Sequence, residues 1–510
     1  MNRSLPMPRL MMKKNLSILR DYVVRGSLNS ANFRLKSVSF SSIALANGDK
    51  YYADSPDNID LVIAKVQARG TDDEIFRSLV HDRACSAIPI SHNLVSQLLY
   101  RFKDDWKSAL GVFKWVESYP EYTPLSESYD KMLDILGKTK QMENMMSLLD
   151  KMNQDNRVTI NSIAKVMRRL CGAGKWESAV MVFDDIHKFG LEKNTDSMNL
   201  LLDTLCKENK VEQARKIFLE LKSCIPPSAH TFNIFIHGWC KVNRVDEAIW
   251  TIQEMKGNGF NPSVITYSTI IESYCRHANF SKVYETLDEM ESNGCPANVV
   301  TFTTIMSYLT KNKEYDEALK IPERMKLVGC KPDTYFYNAL IHTLAKAGQV
   351  EEAINVFELE LASCGVQPNT STYNSMIAMY CHHGREHEAL NMLESLESSE
   401  LCRPDIQSFS PLLKLCFKTG KTDVFLGSLL DDMVNKHHLS FDLGVYTLLI
   451  HGLCRANKCD WAYRLFREMV AKDVIPRYQT CSLLLNEIKQ RNNYDAADHI
   501  EGYMKRLKSS

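Results

Sequence analysis

"AHTFNIFIHGWCKVNRVDEAIWTIQEMKGNGFNPS", residues 229–263, is followed directly by "VITYSTIIESYCRHANFSKVYETLDEMESNGCPAN" (264–298) and "VVTFTTIMSYLTKNKEYDEALKIPERMKLVGCKPD" (299–333), and the three align without a gap. The register continues at 334–369, 370–405, 406–442 and 443–477, and runs upstream, more loosely, through 195–228, 160–194 and 126–159. A degenerate copy occupies 90–125, a partial one 478–510, and 49–89 reads as a helical lead-in. A chain of 510 residues would ordinarily suggest about three globular domains. A period of about 35 residues replaces that expectation with one quasi-linear array, in which each unit buries its apolar face only against a neighbour.

Each row predicts two helices. In 229–263 the first runs from about the second residue to the fourteenth, with Phe232, Phe235, Ile236 and Trp239 at helical spacing. A polar turn, Lys241–Arg244, precedes an acidic first turn, Asp246–Glu247, which suits the positive end of a helix dipole. The second helix carries Ala248, Ile252 and Met255 on its apolar side and stops at Gly259, with Pro262 just beyond. The twentieth position is alanine in most rows (Ala179, Ala214, Ala248, Ala318, Ala353, Ala389, Ala462, Ala497), so this column is expected where the two helices of a hairpin cross.

Composition agrees with long helices. Glycine (21) and proline (16) are scarce, which argues against a sheet protein rich in tight turns. No apolar run approaches the roughly 18–20 residues of a membrane span. The 15 cysteines lack the spacing of a disulfide scaffold, so free thiols in a reducing compartment are expected. The charge is uneven although 62 Lys+Arg balance 62 Asp+Glu. Between Met1 and Gly48 stand Arg3, Arg9, Lys13, Lys14, Arg20, Arg25, Arg34 and Lys36 against the single acid Asp21, with frequent serine. That is the composition of a transit peptide, and its Arg content and amphipathic 10–20 stretch fit mitochondria better than plastids. Cleavage there leaves a chain near −7, so any polyanion must be held by a local basic groove rather than a global field.

Two columns look like chemistry and read as packing. Cys171, Cys206, Cys240, Cys275, Cys381 and Cys454 share the twelfth position, without the neighbouring thiols a metal needs. Met255, Met290 and Met325 recur at the twenty-seventh and read as core. His382, His383 and His387, like His437 and His438, lack the spacing of a metal pair and are expected as solvated turn residues. No phosphate-binding, zinc-protease or nucleophile-elbow motif occurs, so no catalytic residue, metal site or cofactor is predicted.

The profile "TYN…L…C(K/R)…A…M…G…PD" resembles the pentatricopeptide repeat family of organellar RNA-binding proteins over about 90–510, most closely over 195–477. The resemblance implies an all-α fold, a right-handed α-solenoid superhelix of antiparallel helix-turn-helix repeats. It implies the pure-repeat class, without an editing or nuclease domain. The implied partner is single-stranded organellar RNA, alongside RNA-processing or ribosomal proteins, and no membrane. In that family the fifth and last residues of a unit together read one base. Carried onto this chain, the pairs are Asn199/Ser228, Asn233/Ser263, Ser268/Asn298, Thr303/Asp333, Asn338/Asn369, Asn374/Asp405, Ser410/Asp442 and Thr447/Arg477. A polar column inside an apolar helix is costly unless solvated or partnered, and a base edge is such a partner. The competing reading makes these residues helix caps and solvated turn residues.

Unit by unit, the family code implies C, C, A, G, a pyrimidine, U, G and a purine, hence 5′-CCAGYUGR-3′. Asp130/Thr159 and Ala164/Asn194 match no base. The second position, which sandwiches the base in the family, holds Ile265, Val300 and Tyr335, but Ser371, Gln407 and Gly444 in later units, which should bind less tightly. The thirteenth position is basic (Lys138, Lys207, Lys241, Arg276, Lys311, Lys346, Lys418, Arg455) and is expected to follow the phosphates, or else to stabilise helix dipoles. The function implied is post-transcriptional: stabilisation, processing, splicing or translation of a transcript by site occupancy. A rival of another class is a protein-interaction scaffold in a mitochondrial or ribosomal complex.

Overall fold

A computed structural model of the chain describes residues 56–66 and 70–509, except the side chains of residues 56, 57, 424 and 507–509. The basic leader 1–48 lies outside the described residues. Among the latter every regular element is a helix. The chain divides into two compact units, which part between Ala297 and Asn298.

In the unit before Asn298, short helices Pro56–Val66, Asp72–His81 and Arg83–Ser86 lead into His92–Arg101 and Trp106–Glu117. Hairpins follow as Ser126–Lys138 with Met142–Gln154, Ile160–Gly172 with Trp176–Asp184, and Thr195–Lys207 with Val211–Leu221. Ala229–Lys241 with Val245–Gly257 and Val264–Arg276 with Phe280–Ser292 complete it. The second unit repeats the plan from Val299–Lys311 onward. Its last segment, expected as a partial unit, carries both helices, Tyr478–Gln490 and Tyr494–Ser509.

Hairpin 229–263 shows why the sequence folds this way. Ser228 caps the first helix: its hydroxyl accepts from the Thr231 amide, and the Thr231 hydroxyl accepts from the Ser228 amide at 3.0 Å. The helix therefore starts at the first position of the row, one earlier than its apolar spacing suggests. Asn243, at φ 62°, reverses the chain, a conformation asparagine tolerates better than most residues. Gly259, at φ +80° just past the cap residue Asn258, closes the second helix, with its own amide on the Lys256 carbonyl and the Phe260 amide on the Met255 carbonyl. Between the helices, Phe218 of the preceding hairpin meets Phe232 and Phe235 with ring centroids 6.3 and 5.3 Å away. Each such buried ring contributes about 1.5–3 kcal/mol. The alanines of the twentieth column are sealed, from Ala179 to Ala462 at 0% exposure.

The cysteine column occupies the contact between successive first helices. A Cβ on Gly238, the tenth residue of its row, would lie 2.9 Å from the Cys206 sulfur, the twelfth residue of the row before. The same twelfth-to-tenth contact joins Thr310 to Thr343, hydroxyl to hydroxyl at 2.7 Å, and sets Phe417 against Gly452. Burial pushes the thiols of Cys171, Cys206, Cys275, Cys381 and Cys454 up to about 12, so they stay protonated.

Two of the three rows longer than 35 absorb the excess inside a helix, whereas row 370–405 keeps two regular helices. Row 334–369 takes a π-turn at Val356–Glu360, and row 406–442 another at Asp432–Lys436. Pro322 splits the second helix of 299–333 into Tyr315–Ala318 and Ile321–Leu327, since its ring has no N–H and clashes with the preceding turn.

Candidate nucleic-acid interface

Positions two, five, nine and thirteen of a first helix fall within about one quarter of its circumference, because each residue turns the helix by roughly 100°. Ile265, Val300 and Tyr335, at position two, are 72, 62 and 73% exposed, which is unusual for apolar side chains at the start of a packed helix. The thirteenth residues are exposed as well.

Between these ends lies the fifth residue, and here three of the eight expected pairs meet. The Asn199 amide nitrogen is 3.4 Å from the Ser228 hydroxyl, Asn338 donates to Asn369 at 3.3 Å, and Asn374 donates to Asp405 at 3.0 Å. A third residue, absent from the sequence reading, completes the group: the hydroxyl at position three of the next row. Thr231 donates to the Asn199 carbonyl at 2.7 Å, Thr266 to Asn233 at 2.7 Å, and Ser408 to Asn374 at 2.6 Å. Its signal was the recurrent Thr or Ser in "AHT", "VIT" and "IQS". The Asn338 carbonyl oxygen is buried without a hydrogen-bond partner among the described residues, because Thr372 turns to Asn369 instead.

The last residues are also helix caps, so the competing reading holds for that column as a local fact. Asn194, Ser228, Ser263, Asn298, Asp333, Asn369, Asp405 and Asp442 each accept from a backbone amide of the following helix. Arg477 precedes its helix without a side-chain cap bond. Capping leaves the fifth-residue contacts in place, since a carboxylate or amide oxygen has more than one lone pair. Thr303, Ser410 and Thr447 spend their protons on Val299, Ile406 and Leu443 carbonyls at 2.7, 2.8 and 2.7 Å. Asn199 and Asn374 are only 5 and 8% exposed, so a base reaching them must displace part of this network. Ser268 is half-buried in its helix.

The cation column is not uniform. Lys138, Lys207 and Arg276 reach back one turn to Asp134, Asp203 and Glu272 at 3.1, 2.6 and 3.8 Å. Lys241 donates to the Lys207 carbonyl, and Lys311 lies over the Tyr308 ring. Arg455 is exposed. Lys346 and Lys418 line a cavity of about 340 Å3 together with Lys414, His342 and His382. Lys414 and the two histidines were not singled out in the sequence as anion ligands; the available signal was that His342 and Lys414 stand at the ninth position, where rows 126–159, 195–228 and 264–298 carry an acid, and that His382 stands at the thirteenth.

One histidine expectation is corrected. His437 is not a solvated turn residue: its ring packs 5.7 Å from Phe409 and its Nε2 lies 2.6 Å from Glu397. His382, His383, His387 and His438 are exposed.

Sequence profiles of known families match this chain. The PPR repeat family covers residues 193–241, 227–276, 262–307, 332–377 and 368–418. A pentatricopeptide repeat domain matches 285–348, and PPR repeats match 127–156, 166–191 and 437–470. A mitochondrial pentatricopeptide repeat-containing protein of Arabidopsis thaliana is 54% identical over 474 residues, 93% of either chain. A second from that plant is 49% identical over 429 residues, 83% of this chain and 76% of the relative. Among solved structures, the pentatricopeptide repeat protein PPR10 in complex with an 18-nt psaJ RNA element is similar in fold. Its TM-score is 0.50 at 19% identity, over 88% of this chain and 66% of that one.

Proposed function

Since the chain belongs to the pentatricopeptide repeat family and, like its relatives, is mitochondrial, we propose that it is a sequence-specific, non-catalytic reader of single-stranded mitochondrial RNA. The observation that supports this reading most is the convergence of fifth and last side chains at Asn199/Ser228, Asn338/Asn369 and Asn374/Asp405. A base edge laid against such a pair meets a donor and an acceptor side by side. Exposed Ile265, Val300 and Tyr335 offer apolar contact to base faces, and the thirteenth-position cations lie on the same helix face.

The expected target is 5′-CCAGYUGR-3′, read from the amino-terminal unit toward the carboxyl end. Occupancy itself is the mechanism: a strand held along successive first helices is withheld from nucleases and from competing hairpins. Filter binding of the purified chain to an oligonucleotide carrying this sequence, against a scrambled one, tests the proposal. Each matched base is worth about 1–3 kcal/mol, so preferential retention of the target is expected. Equal, weak retention of both would favour a protein-binding scaffold.

A further inference from the structure

The cavity of about 340 Å3 lies between the first helices Thr334–Ala347, Thr370–His382 and Ile406–Thr419. Lys346 enters it from the first of these, Lys414 and Lys418 from the third, and no carboxylate lines it. None of the three lysines forms an ion pair among the described residues. Three of their equivalents in the unit before Asn298 behave differently, with Lys138, Lys207 and Arg276 each matched by an acid one turn back, whereas Lys241, with His237 at the ninth position, donates to a backbone carbonyl. The ninth position decides this. It is Asp134, Asp203 and Glu272 in those rows, but His342, Ala378 and Lys414 here. Ala378, small and exposed, leaves the gap between the flanking helices that opens the cavity. Desolvation, aided by Lys346, holds the His342 imidazole below its usual range.

We propose that this cavity is the chain's principal phosphate site, holding the phosphodiester backbone of a bound single-stranded RNA as it passes rows 334–442. The inference rests on the RNA-reading function above and adds to it a polarity that the thirteenth column alone does not contain. Cations already neutralised by a neighbouring acid release few counterions from RNA. Three clustered, unpaired ammonium groups release the most. The carboxyl-terminal rows, poor in base-sandwiching residues, thus hold the strand by its backbone.

The test uses the full chain and fluorescence anisotropy with the target and scrambled RNAs across a salt series. Lys346, Lys414 and Lys418 are changed together to Gln. The slope of log K against log salt is expected to become shallower by about 2, at roughly 0.7 per phosphate, for both RNAs, with their affinity ratio unchanged. Lys138→Gln, Lys207→Gln and Arg276→Gln together should make the slope shallower by clearly less than this, because a neighbouring acid already offsets each of them. Ala378→Glu, a helix-compatible change at an exposed site, should weaken both RNAs as the triple variant does. Equal slope changes from the two triple variants, or none from the first, would overturn the proposal while leaving target preference intact. If wild type fails to discriminate yet its slope depends on these lysines, the base code falls and the pocket stands. A wild type that binds neither RNA overturns both, and competition by inorganic pyrophosphate beyond its ionic-strength effect would reassign the cavity to a small anion.

Discussion

On the proposed reading, the hydrogen-bonding state of the fifth side chain decides what kind of base edge fits. Thr303 gives its proton to the Val299 carbonyl, so only lone pairs face outward, beside the Asp333 carboxylate. Two acceptors suit the N1–H and N2–H donors of guanine. At Asn374 the Ser408 hydroxyl occupies the amide oxygen, which turns the amide nitrogen toward Asp405. A donor beside an acceptor suits uridine, which offers a carbonyl next to N3–H. Thr303→Asn, with Asp333 retained, should therefore move that row's preference from guanine to uridine. The expected change is about 1–3 kcal/mol, or roughly five- to 150-fold in affinity ratio, read with oligonucleotides that differ at one base. An unswapped preference would show that the register of 299–333 is misassigned. The positions of these residues were legible in the sequence because the first-helix pattern recurs in each row even where the row length changes. Their orientation was not, since it is imposed by a hydroxyl on the next row, a contact about 32–34 residues away that local spacing does not display.

Helices pack here by complementary volumes across the twelfth-to-tenth contact. Where the twelfth residue is large, as in Phe417, the tenth of the next row is Gly452; where it is Gly137, the partner is Arg169. A Cβ on Gly452 would come within 2.4 Å of the Phe417 ring. Gly452→Ala should therefore cost about 1–3 kcal/mol in urea melts, and Phe417→Cys in the same chain should recover most of it. An additive outcome would deny the contact. This explains the cysteine column as a size requirement, a reading available from sequence, whereas the compensating exchange at Phe417 needed the register of two helices. The π-turn at Asp432–Lys436 was not legible either, because apolar spacing tolerates one inserted residue. That turn brings Lys436 and His437 onto Glu397 of the previous hairpin, both at 2.6 Å. Burial alone would raise the Glu397 carboxyl, but these two hydrogen bonds hold it below its ordinary value of 4.5. A depressed carboxylate stabilises the fold above its unfolded pKa, and the contribution disappears as pH falls through the folded value. Glu397→Ala should thus lose about 1–2 kcal/mol at pH 7, and its melting curve should approach that of wild type as the pH is lowered below about 4.5. A constant deficit down to pH 3 would mean that packing, not charge, is lost.

For the whole molecule, the long-range hydrogen bonds run between adjacent rows, as in Thr310–Thr343, 33 residues apart, and Lys421–Glu386, 35 apart. In such an array each row is stabilised mainly by its neighbours. Charge is distributed differently. The full chain is neutral, yet its first 48 residues hold eight basic side chains against one acid, so the remainder is near −7. A polyanion thus meets two separate attractions: a sequence-blind one from the leader, and a local one from cations such as Lys346, Lys414 and Lys418 set in an acidic whole. Only the second is coupled to base reading. Comparing residues 1–510 with 49–510 in the same binding assay should separate them. Loss of the leader should weaken the scrambled RNA more than the target, so discrimination rises while the salt slope for scrambled RNA becomes shallower. Matching losses for the two RNAs would instead place the leader's cations on the same strand path as the rows, and the reader would then depend on a segment that import is expected to remove.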